Sequence, residues 1–216
     1  MKLLNSLGPN PRMVRMFMAE KGIDIPLEDL DLLGGENRRG PYTAKNPAGQ
    51  IPSLELDDGT IIAETVTICE YLEELHPKPA LIGTTPAERA QARMWTRRVE
   101  LNATEYMYNG FRYSEGLGLF KDRMRCLPEA AAGLKQKGQD GLKWIDGLLG
   151  AGPYLCGNRL TVADIVLYCC VDFCASVGQP LDPALKNLNT WYQRMDARPS
   201  AQKTLAPNWK ELGMRV

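Results

Sequence analysis

The chain has 216 residues, with 26 basic and 26 acidic side chains and a formal net charge of zero. That length holds one large domain or two small ones, with a sizeable core either way. The balanced charge gives no electrostatic footprint for nucleic acid or an anionic membrane, and no apolar run reaches the roughly 20 residues that span a bilayer. The N-terminus turns polar after Leu3-Leu4, unlike a secretory signal, so a cytoplasmic location is expected. The six cysteines include no C-x-x-C pair, and His76 is the single histidine. No metal site is therefore expected, and Cys170 and Cys174, spaced i, i+4 in an apolar stretch, read as buried thiols.

In chain order, Lys2 to Asn5 reads as a strand. Pro11 to Glu20 reads as a helix with Val14, Phe17, Met18 and Lys21 on one face and Gly22 as its stop. Pro26 to Leu32 alternates and reads as a second strand. The stretch from 34 to 46 is polar and irregular, with a short helix near Pro41 to Lys45. Ile51 to Leu56 and Thr60 to Ala63 form a hairpin across Asp57-Asp58-Gly59. Thr65 to Leu75 is a helix with Val66, Ile68, Cys69, Leu72 and Leu75 inward. His76-Pro77-Lys78-Pro79 ends this unit, because two prolines in four residues cannot continue a helix. A linker over 77–85 leads to Thr85-Pro86, a helix start. Beyond it only helices are expected, over 86–110, 128–149, 162–177, 184–196 and 200–206. The layout is a small mixed α/β domain over 1–78 followed by an all-helical domain over 86–216.

Three places in the first unit carry chemistry. Ile51-Pro52 is either an ordinary strand-opening proline or a cis proline beside a residue with free N–H and C=O, to which an extended peptide could pair. Glu64-Thr65 ends a strand and begins a helix. It is either a plain threonine cap with a solvated glutamate, or a pocket in which the helix N-terminus takes an anion and Glu64 takes an ammonium group. In Gly8-Pro9-Asn10-Pro11, Asn10 is either an N-cap with Pro11 at the first helical position or a donor to a ligand sulfur. Donors and a helix N-terminus lower a thiol pKa from its usual value of about 8.5, so that thiolate forms near neutral pH.

Pro9-Asn-Pro-Arg-Met-Val, Asn46-Pro-Ala-Gly-Gln-Ile-Pro-Ser-Leu, Asp57-Asp-Gly-Thr-Ile-Ile-Ala-Glu-Thr and Ile68-Cys-Glu-Tyr-Leu-Glu, in this order, resemble the signatures of the cytosolic glutathione transferase family. Gly157-Asn-Arg-Leu-Thr-Val-Ala-Asp164 resembles that family's buried-helix capping motif, physically an S/T-x-x-[DE] box. The resemblance covers essentially the whole chain. It implies a thioredoxin-like N-terminal domain, an all-α C-terminal helical bundle and a homodimer. It also implies glutathione as co-substrate with no bound cofactor, a hydrophobic small-molecule electrophile, and a role in detoxification. Residue by residue, Ile51 beside cis-Pro52 pairs with the cysteinyl backbone, and Glu64 and Thr65 hold the γ-glutamyl head. Gln50 helps with the backbone or glycyl end, and Arg39 and Lys45 are candidates for the glycyl carboxylate. Tyr106, Asn109, Arg112 and Tyr113 are candidates for the electrophile site.

One departure matters. Where many classes carry a Ser or Cys in the first strand–helix turn, this chain has Gly8. The turn has no cysteine, which argues against a mixed-disulfide mechanism of the omega kind, and Ser6 lies two residues early. The turn resembles bacterial classes such as the Nu class, which implies Asn10 as the group acting on the thiol. The expected function is conjugation of glutathione to a hydrophobic electrophile. The alternatives are a glutathione-dependent disulfide-bond oxidoreductase or peroxidase and a non-catalytic glutathione-binding or interaction protein.

Overall fold

The computed structural model describes all 216 residues. The N-terminal half runs β1 (Lys2–Asn5), α1 (Pro9–Lys21), β2 (Leu27–Asp29), a 3-10 turn (Glu36–Arg38), α2 (Gly40–Thr43), β3 (Ser53–Glu55), β4 (Ile61–Ala63) and α3 (Thr65–Leu75). The sheet order is β2-β1-β3-β4; β1 pairs parallel with β2 and antiparallel with β3. The hairpin forms where Asp57-Asp58-Gly59 predicts it, with Leu56 N–H bonded to Thr60 O.

The second half is helical throughout: α4 (Pro86–Val99), a π turn (Glu100–Thr104), α5 (Glu105–Arg112), α6 (Leu117–Phe120), a 3-10 turn (Pro128–Ala130), α7 (Ala131–Leu149), α8 (Val162–Ser176), α9 (Lys186–Asp196), α10 (Pro199–Lys203) and α11 (Trp209–Leu212). The single helix expected over 86–110 is therefore two helices joined by a π turn. Such a turn adds a residue to the helix and rotates everything after it by roughly 100°. Gly141 on α7 makes room for it: a Cβ there would stand 1.7 Å from Asn102 O. Helices α6 and α11 are too short to leave a periodic signal.

α8 is the hub. Thirteen of its fifteen residues are buried, and it packs on α1 and α4. Its start carries the predicted capping box. Asp164 is fully buried and accepts from Thr161 N–H, Leu155 N–H and Trp191 Nε1. One continuous apolar core contains Leu3, Val14, Phe17, Ile68 and Leu72 from the first half and most of α8 from the second. Five of the six cysteines are buried and free. Burial pushes the Cys169 thiol up to about 12, so it is a packing group rather than a nucleophile.

Charged groups also cross the boundary between the halves. Arg12 of α1 has no exposed surface; it meets Asp172 of α8 at 2.5 Å and donates to Ala201 O at 3.0 Å. Asp172 also accepts from Arg215 at 2.6 Å and from Tyr192. At the linker, buried Glu73 takes Lys21 at 2.6 Å and the amides of Leu81 and Ile82 at 3.0 Å each. Lys21 in turn reaches Pro79 O at 2.6 Å, and Leu81 O accepts Val162 N–H at the head of α8.

A third link joins Glu20 of α1 to Arg198 through both carboxylate oxygens, at 2.6 and 2.7 Å, and to Ser200. Burial alone would raise the Glu20 pKa, but these hydrogen bonds and the Arg198 charge outweigh it and hold it below its ordinary value of 4.5. A carboxylate with a depressed folded-state pKa contributes stability above its unfolded-state pKa, and that stability is lost as pH falls through the folded value. Glu20→Gln will therefore flatten the acid side of the melting-temperature profile below about pH 4.5, with little change in its slope near neutral pH.

Several sequence expectations are corrected at element ends. β2 keeps only three residues of the predicted second strand. α1 is capped by Gly8 with Pro9 at its first position, not by Asn10 with Pro11. Glu64, not Thr65, is the residue before α3. Leu75, expected inward, is 47% exposed, because it lies in the last turn of α3, beyond the buried stretch that ends near Glu73.

Candidate functional site

The cleft between the halves encloses about 90 Å3 and is lined on one side by Leu7, Gly8, Pro9, Asn10, Pro11, Gln50 and Ile51. Facing them are Tyr108, Phe111, Arg112, Phe120 and Phe173. A larger hollow, about 530 Å3, lies elsewhere, between α1, β2 and residues 203–207. It holds Ser6, whose hydroxyl is already donated to Leu30 O at 2.6 Å, and none of the other residues singled out for thiol or peptide binding. The smaller cleft is the candidate site, because Ile51 and Asn10, which both carry unpaired polar groups, line it, while Pro52, Glu64 and Thr65 adjoin Ile51 along the hairpin without lining the cleft.

Ile51 supplies the first of them. It is only 7% exposed, yet neither its N–H nor its C=O has a partner in the chain. A buried backbone pair is almost always satisfied, so this residue is built to be completed by something extended. The Ile51–Pro52 bond is cis. Gln50 is held beside it by its own carbonyl, which accepts from Tyr42 Oη at 2.5 Å and from Asn46 Nδ2 at 2.8 Å. The β3–β4 register pairs Ser53 with Ala63 and so sets Pro52 across from Glu64.

Glu64 is the one non-glycine residue with positive φ, at φ 67° and ψ 121°. Such a backbone costs on the order of 1–3 kcal/mol and tends to be kept at functional sites. Here it turns the chain so that α3 starts with no side-chain cap. Ile68 N–H, bonded to Glu64 O, is the first satisfied amide, so the opening turn presents free donors and the positive end of the helix.

The third group is the first turn of α1. Pro9 and Pro11 carry no N–H, so Asn10 supplies the single amide proton of that turn, and neither it nor the Asn10 side chain has a partner in the chain. Gly8 has φ 120°, a conformation that L side chains rarely adopt.

The opposite wall is aromatic. Phe111 meets Phe173 edge-on with ring centres 4.9 Å apart, and Phe120 at 6.2 Å. The Tyr108 hydroxyl is buried without a partner.

Of the four side chains expected on this wall, Arg112 lines the cleft. Tyr106 instead lies under Lys137 of α7, 4.6 Å from its Nζ. Asn109 bonds Glu105 and Arg112, and Tyr113 follows the end of α5; neither lines the cleft. The reason is the helix face: Tyr106, Asn109 and Tyr113 share one side of α5 and its end, whereas Tyr108, Phe111 and Arg112, at i, i+3 and i+4, share the side that meets the cleft. Sequence reasoning misses Tyr108 and Phe111 because nothing local marks which face of α5 meets the cleft, Phe120 because α6 is too short to leave a periodic signal, and Phe173 because α8 approaches from far along the chain. Arg39 and Lys45 line a separate hollow with Glu28, Glu36 and Tyr42. Arg39 donates to Gly34 O, and Lys45 pairs with Glu55 at 2.6 Å.

Comparison with known proteins agrees with this architecture. The family described as glutathione S-transferase, N-terminal domain, matches residues 7–75, and the family described as glutathione S-transferase, C-terminal domain, matches residues 128–194. "Glutathione S-transferase 2" of Saccharomyces cerevisiae is 34% identical over 203 residues, covering 92% of this chain and 86% of that protein. "Glutathione S-transferase GstA" of Escherichia coli O157:H7 is 30% identical over 210 residues, covering 95% of this chain and 98% of that one. The crystal structure of Gtt2 from Saccharomyces cerevisiae superposes with a TM-score of 0.89 at 32% identity, covering 95% of this chain and 100% of that one. A small mixed sheet followed by a helical domain, with a cleft between them, defines a two-domain protein of the glutathione transferase fold. The chain belongs to the glutathione S-transferase family.

Proposed function

We propose that the protein is a glutathione transferase that binds glutathione as the thiolate and conjugates it to an electrophile. The observation that carries the reading is Ile51, a buried residue with both backbone groups unpaired, next to Pro52, which the hairpin sets across from the strained Glu64. The cysteinyl backbone of glutathione pairs with Ile51, and its γ-glutamyl carboxylate takes the free amides at the start of α3. Glu64 accepts from its ammonium group. The sulfur then lies at Gly8–Asn10, facing the aromatic wall that holds the electrophile. Catalysis comes from proximity and a lowered thiol pKa, without a covalent enzyme intermediate.

Calorimetric titration with glutathione tests this first; no binding would overturn it. With binding established, conjugation of 1-chloro-2,4-dinitrobenzene is expected to exceed reduction of 2-hydroxyethyl disulfide. The reverse order would make the protein a glutathione-dependent disulfide reductase. Glu64→Gly relieves the backbone strain and leaves the fold intact, but will weaken glutathione binding at least about tenfold by removing a charged hydrogen bond. Affinity equal to that of the unaltered protein would return Glu64 to the scaffold.

A homodimer completes the proposal. Leu101, Trp144 and Leu148 are exposed where the π turn packs on α7, with Arg98 lying over the Trp95 and Trp144 rings. This is an apolar face of the kind that subunit contacts bury. Trp144→Glu will shift the sedimenting species from dimer to monomer; an unchanged species would place the contact elsewhere.

A further inference from the structure

Three arginines border the cleft, one from the first half of the chain and two from the second: Arg112 lines it, and Arg123 and Arg38 lie beside its rim residues Leu32 and Gln50. Arg112 is the sole charged residue that lines the cleft. Its guanidinium lies 5.9 Å from the centre of the Tyr108 ring and 5.8 Å from that of Phe120. Arg123 donates to the carbonyls of Leu32 and Leu33 at 2.7 Å each, which fixes it above the rim residue Leu32. Arg38 donates to Ala48 O at 3.3 Å and lies against Gly49, beside the rim residue Gln50. Its Nε is buried and has no partner.

All three side chains are half-buried. Every hydrogen bond they make goes to a neutral oxygen: three backbone carbonyls and the Asn109 side-chain carbonyl. The acids of the neighbouring turn are occupied, since Glu36 accepts Asp31 N–H and Asp31 accepts Gly34 N–H. Burial, and then the charges of Arg123 and Arg112, lower the pKa of Arg38. Like charges held together without a counter-ion are costly, and an anion placed among them removes the cost. The planar fork of arginine suits a carboxylate, which it can hold through two parallel bonds.

The anion's position says which ligand carries it. Arg112 lies on the aromatic wall, on the far side of the cleft from Ile51 and Asn10. A group bound there belongs to the molecule that covers Tyr108, Phe111 and Phe120. We propose that Arg38, Arg112 and Arg123 together hold a carboxylate of the second substrate, so that the preferred electrophile is an aromatic or unsaturated acid. This rests on the transferase reading and narrows its substrate from any hydrophobic electrophile to an amphiphilic anion.

A matched pair of substrates tests it: 4-chloro-3,5-dinitrobenzoate and its methyl ester. In both, the glutathione thiolate attacks the ring carbon bearing chlorine, a C–S bond forms, and chloride leaves with the C–Cl bonding pair. After correction for uncatalysed reactivity, kcat/KM for the acid is expected to exceed that for the ester at least about tenfold, the effect of one charged hydrogen bond. Arg112→Met and Arg123→Met are each expected to collapse this preference, whereas Arg123→Lys, which keeps charge but not the fork, retains part of it. Glutathione affinity, measured separately by calorimetry, is expected to stay within about twofold in the methionine variants.

An ester conjugated as well as the acid would overturn the assignment while leaving the transferase reading intact. Methionine variants that loosen glutathione without altering the acid-to-ester ratio would overturn it too, by showing that the cluster holds glutathione's own carboxylate. Absence of glutathione binding would overturn both readings. If glutathione binds and neither ring is conjugated, calorimetry of the acid and the ester on the glutathione-loaded protein decides: tighter acid binding upholds the assignment and equal binding overturns it.

Discussion

Asp172→Ala will lower the free energy of unfolding by about 3–5 kcal/mol, the range for removing one partner of a buried charge pair. Asp172 has no exposed surface and is the shared acceptor for Arg12, Arg215 and Tyr192. Arg12 is fully buried as well, and its remaining partners are neutral: the Tyr168 hydroxyl and the carbonyls of Ala201 and Arg215. Removing the carboxylate therefore leaves a buried guanidinium with no counter-charge, and that desolvation penalty exceeds the worth of the hydrogen bonds themselves. The damage reaches both halves, because Arg12 belongs to α1 and Asp172 to α8. Urea unfolding followed by tryptophan fluorescence measures it; a loss under about 1 kcal/mol would mean that the pair behaves as an exposed ion pair.

Asn10→Ala will cut turnover at least about tenfold, roughly 1.4 kcal/mol of barrier. The first turn of α1, to which the proposed function assigns the sulfur, is unusually poor in donors. Pro9 and Pro11 have no N–H, and Gly8 has no side chain. The Asn10 amide side chain and N–H are what remain, and both are free. Since Asn10 lies in the second helical position and does not cap α1, its loss should cost little stability. The prediction thus separates function from fold: kcat falls, and the pH at which glutathione ionises on the protein rises, while the melting temperature holds. Unchanged turnover would mean that the Asn10 N–H and the helix end suffice without the side chain.

Much of this was legible in the sequence where the signal is local. The spans of β1 and α3 follow from apolar spacing and turn residues, and the Thr161–Asp164 box announced the head of α8. Gln50, Ile51, Glu64 and Thr65 are brought together because a short hairpin fixes their register. What was not legible depends on distant or non-periodic events. Arg12 reads as a surface residue between two apolar ones until α8 and the C-terminal segment close over it. The positive φ of Glu64 has no sequence signature in a non-glycine residue. α5 carries polar and aromatic residues on two faces, and only its packing decides that the one with Arg112 meets the cleft while the one with Tyr106, Asn109 and Tyr113 does not. Arg38 and Arg123 lie 85 residues apart, and nothing in either neighbourhood announces the other.

The contact of Glu73 with Lys21, Leu81 and Ile82 gives the linker a role that its two prolines do not suggest. A hinge needs backbone groups free to reorient, and here the carboxylate and the head of α8 hold them from both sides. The connection is a strut. On the transferase reading, the two walls of the cleft then keep a fixed separation, and a second substrate is selected as by a gauge, by what fits a preset gap, not by the protein folding around what has entered. Breadth of substrate range would then have to come from the side chains of α5 and α6, since the frame that carries them does not give.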